Sequence, residues 1–305
     1  MTATGAAGIY GTPPAELAEL PAGAIQFSPL MPGASALEHL NEGALASMTI
    51  EVPPGTLERR YAIALALRAV TPGGAVTVLA AKDRGGTRLR KELETFNCTV
   101  NETARRHHRI AICARPSALT GIDDALSQGG PQLIAGLDLW SQPGVFSWDR
   151  VDPGTALLLQ HLPELSGRGA DFGCGLGILA RAILTSEKVA QVALVDIDRR
   201  AIEAARRNID DARISLAWAD LREPSPELAG LDFVVMNAPF HDGGAEDKLL
   251  ALRFVKCAAE ALRKGGTCWL VANRHLPYEA EMKPLFKHVD LKAQTGRYKV
   301  YEARR

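Results

Sequence analysis

The chain has 305 residues, 47% of them apolar and 23% charged, which is long for one core and suits two globular domains. With 35 basic against 35 acidic residues the net charge is zero, so no overall basic field marks a nucleic-acid binder. No apolar run nears the ~20 residues of a membrane span, no basic-then-apolar leader opens the chain, and no cysteines are spaced CxxC, which predicts a cytoplasmic protein with neither disulfides nor a metal site.

Residues 1–45 are rich in Ala, Pro and Gly and weakly periodic, and are expected to be loosely structured, with a short helix around Pro14–Leu20. From Ser47 the pattern sharpens. Ser47–Val52 reads as a strand, Pro53-Pro54-Gly55 as a turn, and Thr56–Val70 as a helix with apolar residues at helical spacing. Gly73-Gly74 precede a strand at Val76–Ala81, Gly85–Phe96 reads as a helix, and Thr99–Arg115 as two strands joined near Arg105-Arg106. The stretch Lys82–Arg109 carries eight basic and four acidic residues. It reads equally as a solvated face or as an RNA-facing patch.

The same order of elements returns later. A strand ending at Asn237 is followed by a Pro-containing turn, a helix over Asp247–Arg263, Gly265-Gly266, a strand at Cys268–Asn273, a helix near Tyr278–Phe286 and two strands flanking Gly296-Arg297. With a constant offset of 192 residues Gly73 falls on Gly265, Gly74 on Gly266, Leu93 on Leu285, Thr103 on Thr295 and Arg105 on Arg297. Shared order and shared spacing point to an internal duplication. Only the second copy has a glycine-rich turn before it.

That turn is Asp171-Phe172-Gly173-Cys174-Gly175-Leu176-Gly177, placed between an apolar strand and the helical stretch Ile178–Leu184. Glycines here let the chain reverse after a strand and let its backbone approach a ligand. About nineteen residues on, the strand Val192–Val195 ends in Asp196-Ile197-Asp198, where an acid is placed for ribose hydroxyls. These features suit a dinucleotide or S-adenosylmethionine alike. A later strand, Leu231–Met236, ends in Asn237-Ala238-Pro239-Phe240, which resembles the Asn-Pro-Pro-aromatic signature of methyltransferases acting on planar amino groups and so decides for the second. An exocyclic amine on a base is a poor nucleophile because its lone pair is delocalised into the ring. The Asn237 side-chain oxygen and the Ala238 carbonyl can each accept an N–H, turning the lone pair toward a methyl sulfonium, while Pro239 shapes the turn and Phe240 stacks on the ring. Asp220 stands where an adenine amine would be held, or caps its own loop. Cys174 reads as a small residue of the turn.

On these residues the chain resembles the bacterial small-subunit ribosomal RNA (guanine-N2) methyltransferases, the RsmC-like group of class I S-adenosylmethionine-dependent enzymes. Further runs carry the resemblance: Gly144-Val145-Phe146-Ser147 through Asp152-Pro153-Gly154, Val271-Ala272-Asn273 with Leu276-Pro277-Tyr278, and Gln294–Tyr301. Ala238 departs from the usual first Pro of the active turn, which removes a fixed φ and keeps the carbonyl. The resemblance implies an α/β fold of two tandem Rossmann-like domains, the first degenerate and the second with a mostly parallel seven-stranded sheet. It implies a degenerate platform over 46–118, a connector over 119–150 and a catalytic domain over 151–305. Asp171, Gly173, Gly175, Gly177, Asp196, Ile197, Asp220 and Asn237 are then expected to bind S-adenosylmethionine without a metal, and Asn237, Ala238, Pro239 and Phe240 to carry transfer to guanine N2 in 16S rRNA. The implied partner is ribosomal RNA or the small subunit, met by a monomer. Two alternatives are a methyltransferase acting on a Gln side chain of a translation factor, and a non-catalytic RNA-binding or assembly factor. The former usually carries Tyr where Phe240 stands, and the intact turn residues argue against the latter.

Overall fold

A computed structural model of the chain describes residues 5–222, 227–237, 241–242, 245–246, 248–276 and 278–305. The chain divides into two units, residues 1–132 with 142–144, and residues 133–141 with 145–305. In the first, strands β1 (Ala7–Tyr10), β2 (Ile25–Phe27), β3 (Leu45–Glu51), β4 (Val70–Ala81), β5 (Asn101–Arg105) and β6 (His108–Ala114) form one sheet in the order β2-β1-β3-β4-β6-β5. The first four pair in parallel, and β6 is antiparallel to both β4 and β5.

Helix α1 (Thr56–Ala69) is apolar around most of its circumference beyond Tyr61, as a helix covered on two sides must be. It contacts β3 and β4 on one side and α3 (Ile122–Gly129) on another. A methyl group at Gly129 would lie 2.4 Å from Tyr61 Cβ, so only glycine permits that approach. Between α1 and α3 in the chain comes α2 (Leu89–Glu94), whose Glu92 receives a two-pronged bond from the buried Arg59 of α1 at 2.8 and 2.7 Å. Arg59 also donates to Pro54 O at 2.6 Å, so the buried charge is satisfied on both sides. Within the basic stretch Arg90, Arg106 and Arg109 each pair with a glutamate, and most of the other cations are exposed.

The expectation for residues 1–45 is corrected. They supply β1 and β2 to the parallel part of the sheet, and Phe27 and Leu37 are buried in its core. Strands of four and three residues are too short to show an alternating pattern. Their burial depends on later residues, since Gly8 packs where a Cβ would lie 2.9 Å from Leu45 Cδ1 and 3.1 Å from Phe27 Cε2. Pro14–Leu20 holds a single turn, closed by Leu17 N–H on Pro14 O at 2.9 Å.

The second unit opens with the paired strands β7 (Gln132–Ile134) and β8 (Leu139–Ser141), so the expected connector is ordered structure: α3 joins the first unit, and β8 packs in the second. There follow α4 (Pro153–His161), β9 (Gly167–Phe172), α5 (Ile178–Ile183), β10 (Val189–Asp196), α6 (Arg199–Asn208), β11 (Ile214–Trp218) and β12 (Leu231–Asn237). After the short pair β13 (His241–Asp242) and β14 (Ala245–Glu246) come α7 (Lys248–Ala261), β15 (Leu262–Asn273), α8 (Tyr278–Met282), β16 (His288–Gln294) and β17 (Tyr298–Arg304). The seven-stranded sheet runs β11-β10-β9-β12-β15-β17-β16, parallel through β15 and antiparallel at β17 and β16. The chain moves outward from β9 through β10 to β11, then returns to β12 on the other side of β9. The C-terminal ends of β9 and β12 therefore flank the switch point, where open α/β sheets bind ligands.

The duplication is visible in strand pairing. β3 on β4 steps from Leu45↔Val70 to Ser47↔Ala75, and β12 on β15 from Leu231↔Leu262 to Phe233↔Thr267, the same irregularity in both. Gly73 and Gly265 share left-handed φ values of 81° and 78° at that step. In each copy the glycine pair exchanges backbone hydrogen bonds with an arginine after the last strand, Arg115 or Arg305, at 2.8 to 3.0 Å. Each of those arginines also donates to carbonyls at the end of the preceding helix, Leu67 O for Arg115 and Glu260 O for Arg305. Among the described residues the first copy has no counterpart of β11 and passes from β1 to β2 without a helix.

Candidate active site

The glycine turn leaves the end of β9 by three left-handed residues, Gly173 (φ 70°), Gly175 (φ 53°) and Gly177 (φ 80°). At Gly175 an added Cβ would meet nothing within 4 Å, so the backbone there faces open space. At Gly177 it would lie 2.7 Å from Ile209 Cδ1, so that glycine serves helix packing. Val195 O of β10 accepts from Gly173 N at 2.8 Å and Cys174 N at 3.1 Å.

Asp196 closes the turn from the other side. Its Oδ2 accepts from Gly175 N at 2.9 Å and its Oδ1 from Asp198 N at 2.8 Å. The acid expected to serve ribose thus also braces the glycine turn, using one lone pair of each oxygen. Burial pushes its carboxyl up to about 6, against the pull of those N–H groups. Ile197 O accepts from Trp218 Nε1 at 2.8 Å, which fixes the segment beyond.

Asp171 is fully buried, and neither carboxyl oxygen has a hydrogen-bond partner among the described residues. Burial first, then the Asp196 charge, pushes its carboxyl up to about 8; the Ala180 N–H opposes this without forming a bond of normal geometry. A group with a raised folded pKa binds its proton more tightly when folded, so its contribution to stability is complete below about pH 3.8 and lost as pH rises through about 8. Asp196 acts with the same sign but only up to about 6. Between pH 6 and 8 the ligand-free Asp171→Asn protein is therefore expected to lose the fall in melting temperature that the parent shows. One proton limits that fall to about 1.4 kcal/mol per pH unit. Equal slopes in thermal unfolding across that range would refute the assignment. The Cys174 thiol is also raised, by burial and then by Asp196 and Asp171, which makes it an inert packing group.

Asn237 lies at the end of β12. Its Nδ2 donates to Asp152 Oδ2 and to Thr155 Oγ1, both at 2.9 Å. A carboxylate only accepts, so the nitrogen must face Asp152 and the amide has one orientation. Asn237 Oδ1 takes no donor among the described residues. Asp152 is the N-cap of α4, its Oδ2 also accepting from Thr155 N at 3.0 Å, with Pro153 at the first helical position. Asp152, Thr155 and Asn237 line one cleft with Gly173, Gly175 and Leu176, and Phe146, exposed despite its size, stands at its wall.

Asp220 is engaged locally. Arg222 Nε lies 2.9 and 2.8 Å from its two oxygens and Arg222 N donates to it at 2.9 Å. Burial raises its carboxyl, and the Arg222 contacts outweigh this and hold it below its usual range. Ala238, Pro239 and Phe240 lie outside the described residues. Asp152, Thr155 and Phe146 were not expected as site residues. The signal for the first two was the Asp-Pro-Gly-Thr start of a helix, a capping pattern that by itself carries no chemistry.

A family model for the methyltransferase small domain matches residues 136–302. The ribosomal RNA small subunit methyltransferase C of Shewanella loihica is 33% identical over 254 residues, covering 80% of this chain and 73% of that protein. That of Shewanella sediminis is 42% identical over 159 residues, 52% of this chain and 46% of that protein. Among solved structures, the T. thermophilus 16S rRNA N2 G1207 methyltransferase in complex with AdoMet and guanosine superposes with a TM-score of 0.79 at 24% identity, covering 99% of this chain and 88% of that one. That likeness shows the fold: two Rossmann-like units, the second with a mostly parallel seven-stranded sheet. Among the described residues no helix is long and apolar enough to cross a membrane, and no cluster of His, Cys, Asp and Glu could hold a metal ion.

Proposed function

The chain belongs to the ribosomal RNA small subunit methyltransferase C family, and from that premise we propose that it transfers the methyl group of S-adenosylmethionine to the exocyclic N2 amine of a guanine in 16S rRNA. The observation that carries this reading is the pinned amide of Asn237. With its nitrogen committed to Asp152 and Thr155, its oxygen is left as an acceptor in the cleft. An acceptor fixed before substrate arrives is what a planar amine needs, because accepting one N–H turns the nitrogen lone pair out of conjugation.

The residues fit the cofactor. Gly175 has open space beside its backbone, and the buried Asp171 carboxyl has no hydrogen-bond partner among the described residues. We assign Asp171, Gly173, Gly175 and Gly177 to the methionine portion, Asp196 with Ile197 to the ribose, and Asp220 to the adenine amine, in exchange for one of its Arg222 contacts. When bound, the cofactor supplies an electrophilic methyl on a cationic sulfur. The guanine N2 lone pair would accept that methyl as the C–S electron pair returned to sulfur, and the amine would then release a proton to solvent. We assign Asn237 Oδ1 and the Ala238 carbonyl to holding the amine, and Pro239 and Phe240 to the base, while Phe146 lines the cleft that holds Asn237. The first unit serves as a substrate platform, and a monomer acting in the cytoplasm on free rRNA or the small subunit completes the assignment.

Mass spectrometry of 16S rRNA nucleosides from cells with and without this protein tests the reading. Loss of one N2-methylguanosine, mapped by reverse transcription, is expected. Unchanged N2-methylguanosine with loss of a methylated Gln in a translation factor would replace the substrate.

A further inference from the structure

The run Gln294–Tyr301 takes no part in the cleft, yet it builds one wall of a second hollow. This hollow of about 400 Å³ lies between Pro153, Ala156 and Gln160 of α4 and Thr295, Arg297 and Tyr298 of the β16–β17 turn. Its size falls in the roughly 300–1,000 Å³ range of small-ligand sites. The turn is rigid: Thr295 Oγ1 accepts from Arg297 N at 3.3 Å and Tyr298 N at 3.0 Å, and Arg274 N donates to Arg297 O at 2.7 Å. The Arg297 and Arg274 side chains are exposed and form no ion pair among the described residues.

The hollow adjoins the candidate active site through α4. Positions 153, 156 and 160 share one helical face, and 152 and 155, which hold Asn237, share the next. Tyr298 closes on this helix where Gly154 allows it, since a Cβ there would lie 3.1 Å from two ring atoms. An RNA strand that delivers an unstacked guanine to Asn237 carries its neighbour one phosphodiester linkage away, and that neighbour offers a phosphate and a flat base. The walls match it: an exposed guanidinium, a proline and an alanine, an aromatic edge and one amide.

We propose that this hollow seats the nucleotide adjoining the target guanine, with Arg297 on its phosphate and Gln160 on its ribose or base edge. The proposal rests on the RNA reading given above. The full-length Arg297→Ala protein is assayed on 16S rRNA transcribed in vitro and on small subunits from cells lacking the protein. On whichever substrate the parent methylates, KM is expected to rise about tenfold, with kcat at saturating RNA and S-adenosylmethionine affinity within about twofold. The slope of log affinity against log salt should fall by about 0.7 to 0.9, the loss of one phosphate contact. Arg297→Lys should restore that slope, and Gln160→Ala should raise KM with the slope unchanged. A parent-like KM and slope in Arg297→Ala overturns the proposal alone, and so does a matching loss of S-adenosylmethionine affinity, which would make the residue structural. A parent protein that methylates neither RNA overturns the RNA reading and this site with it.

Discussion

Replacing Asn237 by alanine is expected to lower kcat by about 10³-fold while S-adenosylmethionine affinity stays within about threefold. The substitution removes a side-chain acceptor whose orientation in the cleft is already fixed. Loss of a single preorganised hydrogen bond to the reacting group costs about 10²–10³ in other enzymes. Here the same bond also directs the nucleophile's lone pair, so the upper end applies. The cofactor side is spared because the glycine turn is held by Asp196 and Val195, and Asn237 supplies none of those bonds. Folding is spared in large part, since alanine is accommodated in β12 and Asp152 keeps the Thr155 N–H. The lost bonds are worth about 1–2 kcal/mol, read as a fall of a few degrees in melting temperature. Single-turnover assays with radiolabelled methyl donor and calorimetric titration of the cofactor measure the two arms. Retention of more than a tenth of the parent rate would remove Asn237 from the chemistry.

The candidate site was legible in the sequence where chemistry dictates spacing. An acid and three glycines at fixed intervals, a second acid one strand later and an Asn at the end of a fourth are consequences of a parallel sheet that presents all its C-terminal ends to one ligand. The duplication was legible too, because Gly73 and Gly265 occupy the same irregular step in two strand pairs. What escaped is what depends on contacts between distant residues. Asp152 and Thr155 reach Asn237 across 85 and 82 positions, and a helix cap is all that their local sequence announces. β1 and β2 escaped because they are short and the burial of Gly8 and Phe27 depends on strands that come later. The bonds of Asp196 to Gly175 N and Asp198 N give it a structural part in the turn, which its residue type and spacing alone do not announce.

The orientation of Asn237 turns on Asp152, and two substitutions there should part company. In Asp152→Ala the N-cap of α4 and the acceptor for Asn237 Nδ2 vanish together. The cap is worth about 1 kcal/mol, so melting should drop by several degrees at most. The amide is then free to rotate and to offer its nitrogen to the amine, and misplacement of this kind costs about 10²-fold in kcat. In Asp152→Asn the side-chain oxygen can still occupy the Oδ2 position, accept from both Thr155 N and Asn237 Nδ2, and cap the helix as well as aspartate does. That variant should keep kcat within about tenfold of the parent and its melting temperature unchanged. If instead Asp152 removed the amine proton, the two variants would fail alike, because neither retains a carboxylate. A pair of pH–rate profiles on the same RNA separates the cases. A positioning residue leaves the profile of Asp152→Asn parallel to that of the parent, and a general base takes its acidic limb away. Equal losses in both variants, with that limb gone, would move Asp152 from holding the acceptor to handling the proton.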